Sequence, residues 1–538
     1  MGVGKRRDCR ETRQMILVRN LRLDIGQSSD RLKVKAAREL KLPTWAIKDV
    51  KITKRSLDAR RKNDIHWLYS VAVSVDNEEK LLAKCKSKNV AAYEAPEYTV
   101  PQASAEIRPV VAGFGPGGMF AALVLSMAGL KPVVLERGAD AETRRKKVEA
   151  FRAGGELDPE CNVQFGEGGA GTFSDGKLGT GIRDMRIRWI LRTFYEHGAP
   201  ESILYDAKPH IGTDILINVV QSIRKAVIAH GGEVRFNSKL TGLVTENNTL
   251  RAVRVTDETG EYELPCERLV LAVGHSARDT FEMLEKTGVP MEAKPFSMGA
   301  RIEHKQKMIN ISQYGEDNES LPAADYSLNV HLPDGTSAYT FCMCPGGEVI
   351  AAASEPGGVC TNGMSNSRRN GENANSALLV TLSPEDFPYD GPLGGMYWQR
   401  DIERAAFKAS GSYHAPAQTV GDFLTHKKSE RCGEVDPSYK PGVFWCDLHD
   451  VLPERITSVL ENALPELGRK LNGFDAPDAV LTAPETRSSS PVRILRDERR
   501  QSQIRGLYPC GEGAGYAGGI TSAAVDGMKC AEAVIQSL

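Results

Sequence analysis

The chain has 538 residues, with 69 Lys and Arg against 70 Asp and Glu and a formal net charge of −1. That length accommodates two to four domains and a large core. No apolar run approaches the roughly 20 residues of a membrane-crossing helix, so a membrane is not an expected partner.

Met1–Gln14 is polar and basic with no apolar stretch behind it, unlike a secretory signal. Eleven scattered cysteines read as reduced thiols of a cytoplasmic compartment. No His or Cys pair has ligand spacing such as CxxC, so no metal is expected. Residues 1–88 carry 23 Lys and Arg against 11 Asp and Glu, about +12, which sets them apart as a module. Met15–Asp24 predicts a strand through the alternation of Ile16 and Val18. Ser29 or Asp30 can cap a helix through Leu40, with Leu32, Ala36, Ala37 and Leu40 on one face. Ile47–Lys54 and Ile65–Val75 predict two more strands. This order predicts a basic α+β domain over 1–95, ferredoxin-like in style. Such a charge can hold a phosphate backbone. Only Trp67 and Tyr69 approach the stacking aromatics of an RNA-recognition sheet, so nucleic acid is not the expected partner. Residues 89–107 read as a linker.

Val110–Ala112 is an apolar, β-prone triplet followed by Gly113-Phe114-Gly115-Pro116-Gly117-Gly118 and, 18 residues past Gly118, by Glu136. Gly113 permits a tight turn, Gly115 lets backbone approach a pyrophosphate, and Gly118 lets the new helix pack on the strand. Pro116 suits the first helical turn. The helix offers free N–H groups and a partial positive charge to phosphate. Val133–Leu135 is the next strand, and Glu136 at its end can accept from ribose hydroxyls while repelling a 2′-phosphate. A dinucleotide follows, FAD or NAD.

Further on, Ala141–Phe151 predicts a charged helix. Residues 165–178 (FGEGGAGTFSDGKL) form a glycine-dense segment suited to wrapping a ligand. Ile215–His230 predicts a helix capped by Thr213 or Asp214. Val234–Asn237, Leu240–Glu246 and Leu250–Asp257 predict a meander, and Leu269–Gly274 a buried strand. Strand-like pieces at Ser327–Leu332, Ala338–Cys342 and Val349–Ala353 belong to a region, 276–477, of different style. Gly506–Gly527 returns to strand, acidic glycine loop and helix.

The distant segments separate FAD from NAD. Leu269–Gly274 and Gly506–Gly519 resemble the later FAD segments of the glutathione-reductase-like flavoproteins, with Glu512 where that pattern has Asp. Stretches 165–178, LAVGHSARDTFEML (271–284), FCMCPGGEV (341–349), TNGMS (361–365), NANSALLV (373–380) and PETRSSSPVRI (484–494) resemble the poorly characterised FAD-dependent dehydrogenases, NAD(P)/FAD-dependent oxidoreductases with an N-terminal ferredoxin-like domain. The resemblance implies an α/β fold with a Rossmann-like FAD domain in two parts, 100–275 and 478–538. Between them lies an inserted mixed α+β substrate domain, 276–477. It implies FAD and an oxidoreductase fold but supplies no substrate; a hydride transfer between flavin and a small organic substrate is the expected reaction of an FAD-dependent oxidoreductase. With one GxGxxG unit, NAD(P)H is expected only as a transient donor. An RNA-associated flavoprotein and a non-catalytic flavin-binding protein stay open as alternatives.

The expected FAD contacts are Gly113, Gly115, Pro116, Gly117, Gly118, Glu136 and Arg137 in the first segment. Gly168, Gly169, Ala170, Gly171, Thr172, Ser174 and Lys177 follow in the glycine segment, then Gly274, and finally Gly511, Glu512, Gly519, Ile520 and Thr521. The helix near Ile520 would point its positive end at the flavin. His275, directly after the buried strand, is a candidate base or cofactor contact. Arg487, with Arg493, can clamp an acidic substrate. Cys342 and Cys344 invite a dithiol reading, for which Pro345-Gly346-Gly347 supplies the bend, or else are ordinary buried thiols. Arg301, Glu303 and His304 lie on a probable strand and read equally as a solvated face.

Overall fold

In the first strand the buried residues switch phase: Ile16 and Val18 face inward, then Leu21 and Leu23. The pairing register shifts between Val18 and Leu21, where Asn20 has φ +58, so a bulge turns the strand over midway. In this computed structural model, which describes residues 15–94 and 97–538, that strand is β1 (Met15–Asp24). Met1–Gln14 and the reading made of them, with Ala95 and Pro96, lie outside the described residues.

Two units are distinguishable. One holds 15–94 and Glu97 together with Glu201–Pro209 and Glu319–Leu321. After β1 come α1 (Arg31–Glu39), β2 (Asp49–Asp58), β3 (His66–Ser74), α2 (Glu78–Lys84) and β4 (Val90–Tyr93). Their antiparallel sheet has the order β2-β3-β1-β4. Leu32, Ala36 and Ala37 of α1 close its core. Asp30 precedes α1 without a capping side-chain bond. The expected linker at 89–107 thus contains the fourth strand, too short and alanine-rich to show alternation. Tyr69 is buried, and the Arg55 guanidinium lies 5.0 Å over Trp67 while pairing with Asp206. Neither aromatic is a free stacking surface.

The second unit holds the remaining described residues. Its first sheet is parallel: β5 (Val110–Ala112), α3 (Pro116–Met127), β6 (Val133–Leu135), α4 (Thr213–Ala229), β7 (Glu233–Arg235), β8 (Leu269–Leu271) and, near the end, a strand at Leu507–Pro509. Their order across the sheet is Leu507–Pro509, β8, β5, β6, β7. α3 is apolar on all sides because it is covered on all sides, with Gly117 to Ser126 buried. It packs along the last helix, Ile520–Gln536, at a contact where a Cβ on Gly527 would lie 2.0 Å from the Gly117 carbonyl.

The expected meander is displaced by one strand. Glu233–Arg235 joins the parallel sheet, and the meander comprises Lys239–Glu246, Thr249–Asp257 and Gly260–Pro265. Three residues with a single apolar side chain carry no periodicity. Thr213 is the first residue of α4 and follows Gly212; its hydroxyl donates to the Thr172 carbonyl instead of capping.

The second large sheet has seven strands in the order Asn329–His331, Ser337–Cys344, Asn373–Leu382, Phe296–Lys305, Val480–Glu485, Ala415–Thr419, Val443–Trp445. Val480–Glu485 lies inside it, although the expected boundary at 477/478 set that stretch with the C-terminal FAD part. Among the described residues no helix is long and apolar enough to cross a membrane. Leu378 on a central strand is fully buried. Leu378→Ala is expected to cost about 2–5 kcal/mol, read as a lower urea midpoint at unchanged slope.

Candidate functional site

The parallel strands end together, and the loops that leave their carboxyl ends enclose a cavity of about 350 Å³. In open α/β sheets this is where ligands sit, at the point where strand order reverses. Here β5 and β8 are neighbours whose chains leave in opposite directions across the sheet. Gly113 (φ +93) is required by that junction, since a Cβ there would lie 2.4 Å from the Ala272 carbonyl oxygen. A Cβ on Gly118 would lie 1.9 Å from the Gly113 carbonyl, so Gly118 serves turn and helix packing and does not line the cavity. Gly115 is different. Its backbone is extended, and a Cβ would meet only Gly169, at 3.6 Å, and otherwise enter the cavity. Pro116 and Gly117 line the wall beside it.

Glu136 gathers three loops. One carboxylate oxygen accepts from the Phe114 N–H at 2.8 Å, the other from Gly138 at 3.0 Å and Gly166 at 2.9 Å. A carboxylate has about four acceptor positions, so one remains for the cavity it lines. Arg137 stacks 4.0 Å over Phe165 and pairs with Asp279 and Glu160. The glycine segment is held by Arg144. This fully buried side chain donates to the carbonyls of Asn162, Val163, Glu167 and Gly169, and burial pushes its pKa down to about 10.

Gly169 (φ +61), Ala170, Gly171, Ser174 and Lys177 line the cavity. Gly168 and Thr172 do not. The Gly168 N–H donates to the Phe114 carbonyl, a Cβ there would lie 2.1 Å from the Thr172 hydroxyl, and that hydroxyl turns toward the Glu167 carbonyl. Their expected ligand contacts are therefore corrected to roles inside the loop. Thr521 is corrected likewise: it is buried, and its hydroxyl donates to the Leu178 carbonyl at 2.8 Å.

At the other end of the cavity lie Gly274, Gly511, Glu512, Gly519 and Ile520. Asp526 accepts from the Gly511 N–H and from Arg496 and Arg500, which fixes the loop before the last helix. The Glu512 carbonyl accepts from the Gly515 N–H, but its carboxyl has no hydrogen-bond or ion-pair partner among the described residues, and burial pushes that carboxyl up to about 7.

His275 lines the cavity. Burial, with the nearby Arg487 and Arg278 charges, pushes its imidazole down to about 4, so it is neutral at pH 7. Arg487 also reaches the cavity, but its fork grips Glu403 at 2.8 and 2.7 Å and its third nitrogen donates to Ser354. The expected clamp on an acidic substrate is corrected: that face is occupied. Arg278 holds the same Glu403 from the other side, and the two guanidinium groups keep the carboxyl far below its usual range despite burial. Arg493 pairs with Glu292 and does not line the cavity.

Arg301, Glu303 and His304 are all buried, not a solvated face, because Phe296–Lys305 is an inner strand of the seven-stranded sheet. Arg301 donates to both oxygens of Glu485, to Asn375, to the Cys342 carbonyl at 2.6 Å and to the Cys344 sulfur at 3.4 Å. Glu485 faces the cavity, and burial lifts its pKa to about 7 against the pull of Arg301. Cys342 and Phe341 line the same wall. Cys344 lies behind it, buried. The sequence reading passed over Glu485; its signal was only its place at the start of an unusual segment. Away from the cavity, the potential ligand atoms of His426, His449 and Glu461 lie within 4.8 Å of one another, three residues with no short spacing to announce them.

A family model described as FAD-dependent protein, C-terminal domain-like, matches residues 295–488, and a domain of unknown function matches 15–74. An uncharacterized protein of Clostridium beijerinckii is 46% identical over 529 residues, covering 97% of this chain and 98% of that one. Among solved structures, a flavin-dependent brominase is 13% identical with a TM-score of 0.37 over 80% of this chain and 79% of its own. A glycerol-3-phosphate dehydrogenase from Bacillus halodurans complexed with FAD is 11% identical with a TM-score of 0.37 over 80% and 64%.

FAD is the cofactor that the family match assigns. The residues fit it. Gly115 leaves room for a pyrophosphate at the start of α3, Glu136 keeps an acceptor for ribose, and the unpartnered Glu512 can accept from polyol hydroxyls. Gly115→Val is expected to keep the folded circular dichroism spectrum while losing FAD. Gly118→Val, which clashes with its own turn, should lower the urea midpoint as well.

Proposed function

The chain belongs to the family of its Clostridium beijerinckii relative, and we propose that it is an FAD-dependent oxidoreductase of the dehydrogenase type. Its substrate is a small organic molecule. Bound FAD supplies a two-electron acceptor or donor for hydride transfer. The observation that carries the reading is the cavity itself. Loops from the parallel strands line one side of it, and Phe341, Cys342 and Glu485 of the seven-stranded sheet line the other. The cofactor would be held by the first group, and the second would face substrate.

Gly113, Gly115, Pro116, Gly117, Glu136 and Arg137 would hold the adenosine and pyrophosphate end. Gly169, Ala170, Gly171, Ser174 and Lys177 would cover it. Gly274, Gly511, Glu512, Gly519 and Ile520 would hold the ribityl and ring end, with the N-terminus of the last helix favouring developing negative charge. Glu485, with its pKa near neutrality, is a candidate general base, since it changes protonation where a proton must be taken up and returned. His275, neutral at pH 7, is a hydrogen-bonding group there and not a cation.

The order β2-β3-β1-β4 with two helices supports a ferredoxin-like N-terminal domain, and the parallel sheet with its glycine turn supports a glutathione-reductase-like FAD domain. Ten cysteines without disulfides among the described residues support a cytoplasmic setting.

The purified protein should be yellow and should release FAD on denaturation; a colourless protein that takes up no FAD on reconstitution would sink the reading. Anaerobic flavin bleaching against a metabolite panel, with NADH and NADPH included, identifies the donor. For a substrate that loses a proton, the bleaching rate should rise with pH through about 7, because Glu485 accepts a proton only above its raised pKa. Glu485→Gln should flatten that limb.

A further inference from the structure

Cys342 and Cys344 sit where the strand Ser337–Cys344 is broken. Phe341 pairs with Ala377 and Cys344 with Asn375, so three steps on one strand match two on the other. Cys342 takes φ +43, a left-handed conformation that a cysteine adopts only under constraint. In a regular strand, residues two apart stand about 6.6 Å apart, near the upper limit for a disulfide. Crowding an extra residue into the same length shortens that span. The Cys344 sulfur turns back to 3.3 Å from the Cys342 carbonyl.

The surroundings are cationic. Arg301, fully buried, touches both residues. Lys177 reaches across the cavity to the Met343 carbonyl between them while pairing with Asp175 at 2.9 Å. Cys342 faces the cavity and is partly accessible; Cys344 is buried behind it. A low-pKa, accessible thiol with a resolving partner is the arrangement of redox-active cysteines.

We propose that Cys342 and Cys344 are a two-electron dithiol–disulfide couple that exchanges electrons with the flavin, so that the second substrate class is a thiol or disulfide. The proposal rests on FAD occupying the cavity. In the oxidising direction a bond forms between the Cys342 thiolate sulfur and the Cys344 sulfur, and the Cys344 S–H bond breaks. That proton and the electron pair leave the dithiol as the disulfide forms, and FAD held in the cavity would take them up as a two-electron acceptor. In reverse, the disulfide takes up two electrons and a proton, which bound FAD would supply, and the partly accessible Cys342 thiolate attacks an external disulfide through a mixed disulfide. The Cys342 thiol is held well below its ordinary pKa by its hydrogen bond from Cys344 and, despite burial, by Lys177 and Arg301; Cys344 is raised correspondingly.

The test uses the FAD-loaded holoenzyme. Anaerobic dithionite titration should show uptake of about four electrons per flavin after diamide treatment, and about two in Cys344→Ser. Peptide mass spectrometry of the treated wild type should find Cys342 joined to Cys344. Cys344→Ser should also show long-wavelength charge-transfer absorbance between thiolate and flavin, absent in Cys342→Ser. Wild-type uptake of two electrons, with both thiols still alkylated by iodoacetamide after diamide, overturns the couple, and peptide mapping needs no variant to fold. Failure of the FAD reading is recognised separately, by the absence of a flavin spectrum before any titration.

Discussion

One carboxylate organises the cofactor side of the molecule. Glu136 accepts backbone N–H groups from the first glycine turn, from the end of its own strand and from the glycine segment near 166. Hydrogen bonds to an ionised acceptor are worth more than neutral ones, and these three tie the glycine segment near 166 to the loops that leave two paired parallel strands. Their convergence puts Gly169 so close to Gly115 that a Cβ on Gly169 would lie 2.8 Å from the Gly115 Cα. The cavity exists because those backbones can touch. Arg144 completes the arrangement from beneath by taking the carbonyls of the same segment.

The other wall of the cavity is backed by buried ion pairs. Glu403 sits between Arg278 and Arg487, and Glu485 beside Arg301. Buried charges of this kind add little net stability against apolar replacements, but breaking one leaves an uncompensated charge. Their service here is positional. The first pair holds the Arg487 fork on Glu403, and the second leaves a carboxyl of near-neutral pKa and a strained cysteine at the cavity wall. The two sides of the cavity differ in kind: glycines and backbone groups line one, titratable side chains the other.

The N-terminal unit obeys a simpler economy of alternation and one helix. Its two aromatics on the third strand are taken up by packing and by Arg55, so its positive charge is not joined to stacking platforms.

Much was legible in the order of residues alone. The glycine turn with Glu136, the apolar triplets of the parallel strands and the acidic loop at Glu512 carry their meaning locally, because turn geometry and strand burial depend on neighbours a few residues away. What only the tertiary structure decided has a common cause in contacts between distant segments. Gly168 and Thr521 look like ligand contacts until the Gly168 N–H is seen to bond the Phe114 carbonyl and the Thr521 hydroxyl the Leu178 carbonyl. Arg487 looks free until Glu403, 84 residues away, occupies it. Arg301 looks solvated until the strands on either side cover it, and Glu233–Arg235 and Val90–Tyr93 are strands only because an edge was waiting for them. A short segment gains its structure, and a charged side chain its partner, from what it meets in space, and that information is not written at its own position in the chain.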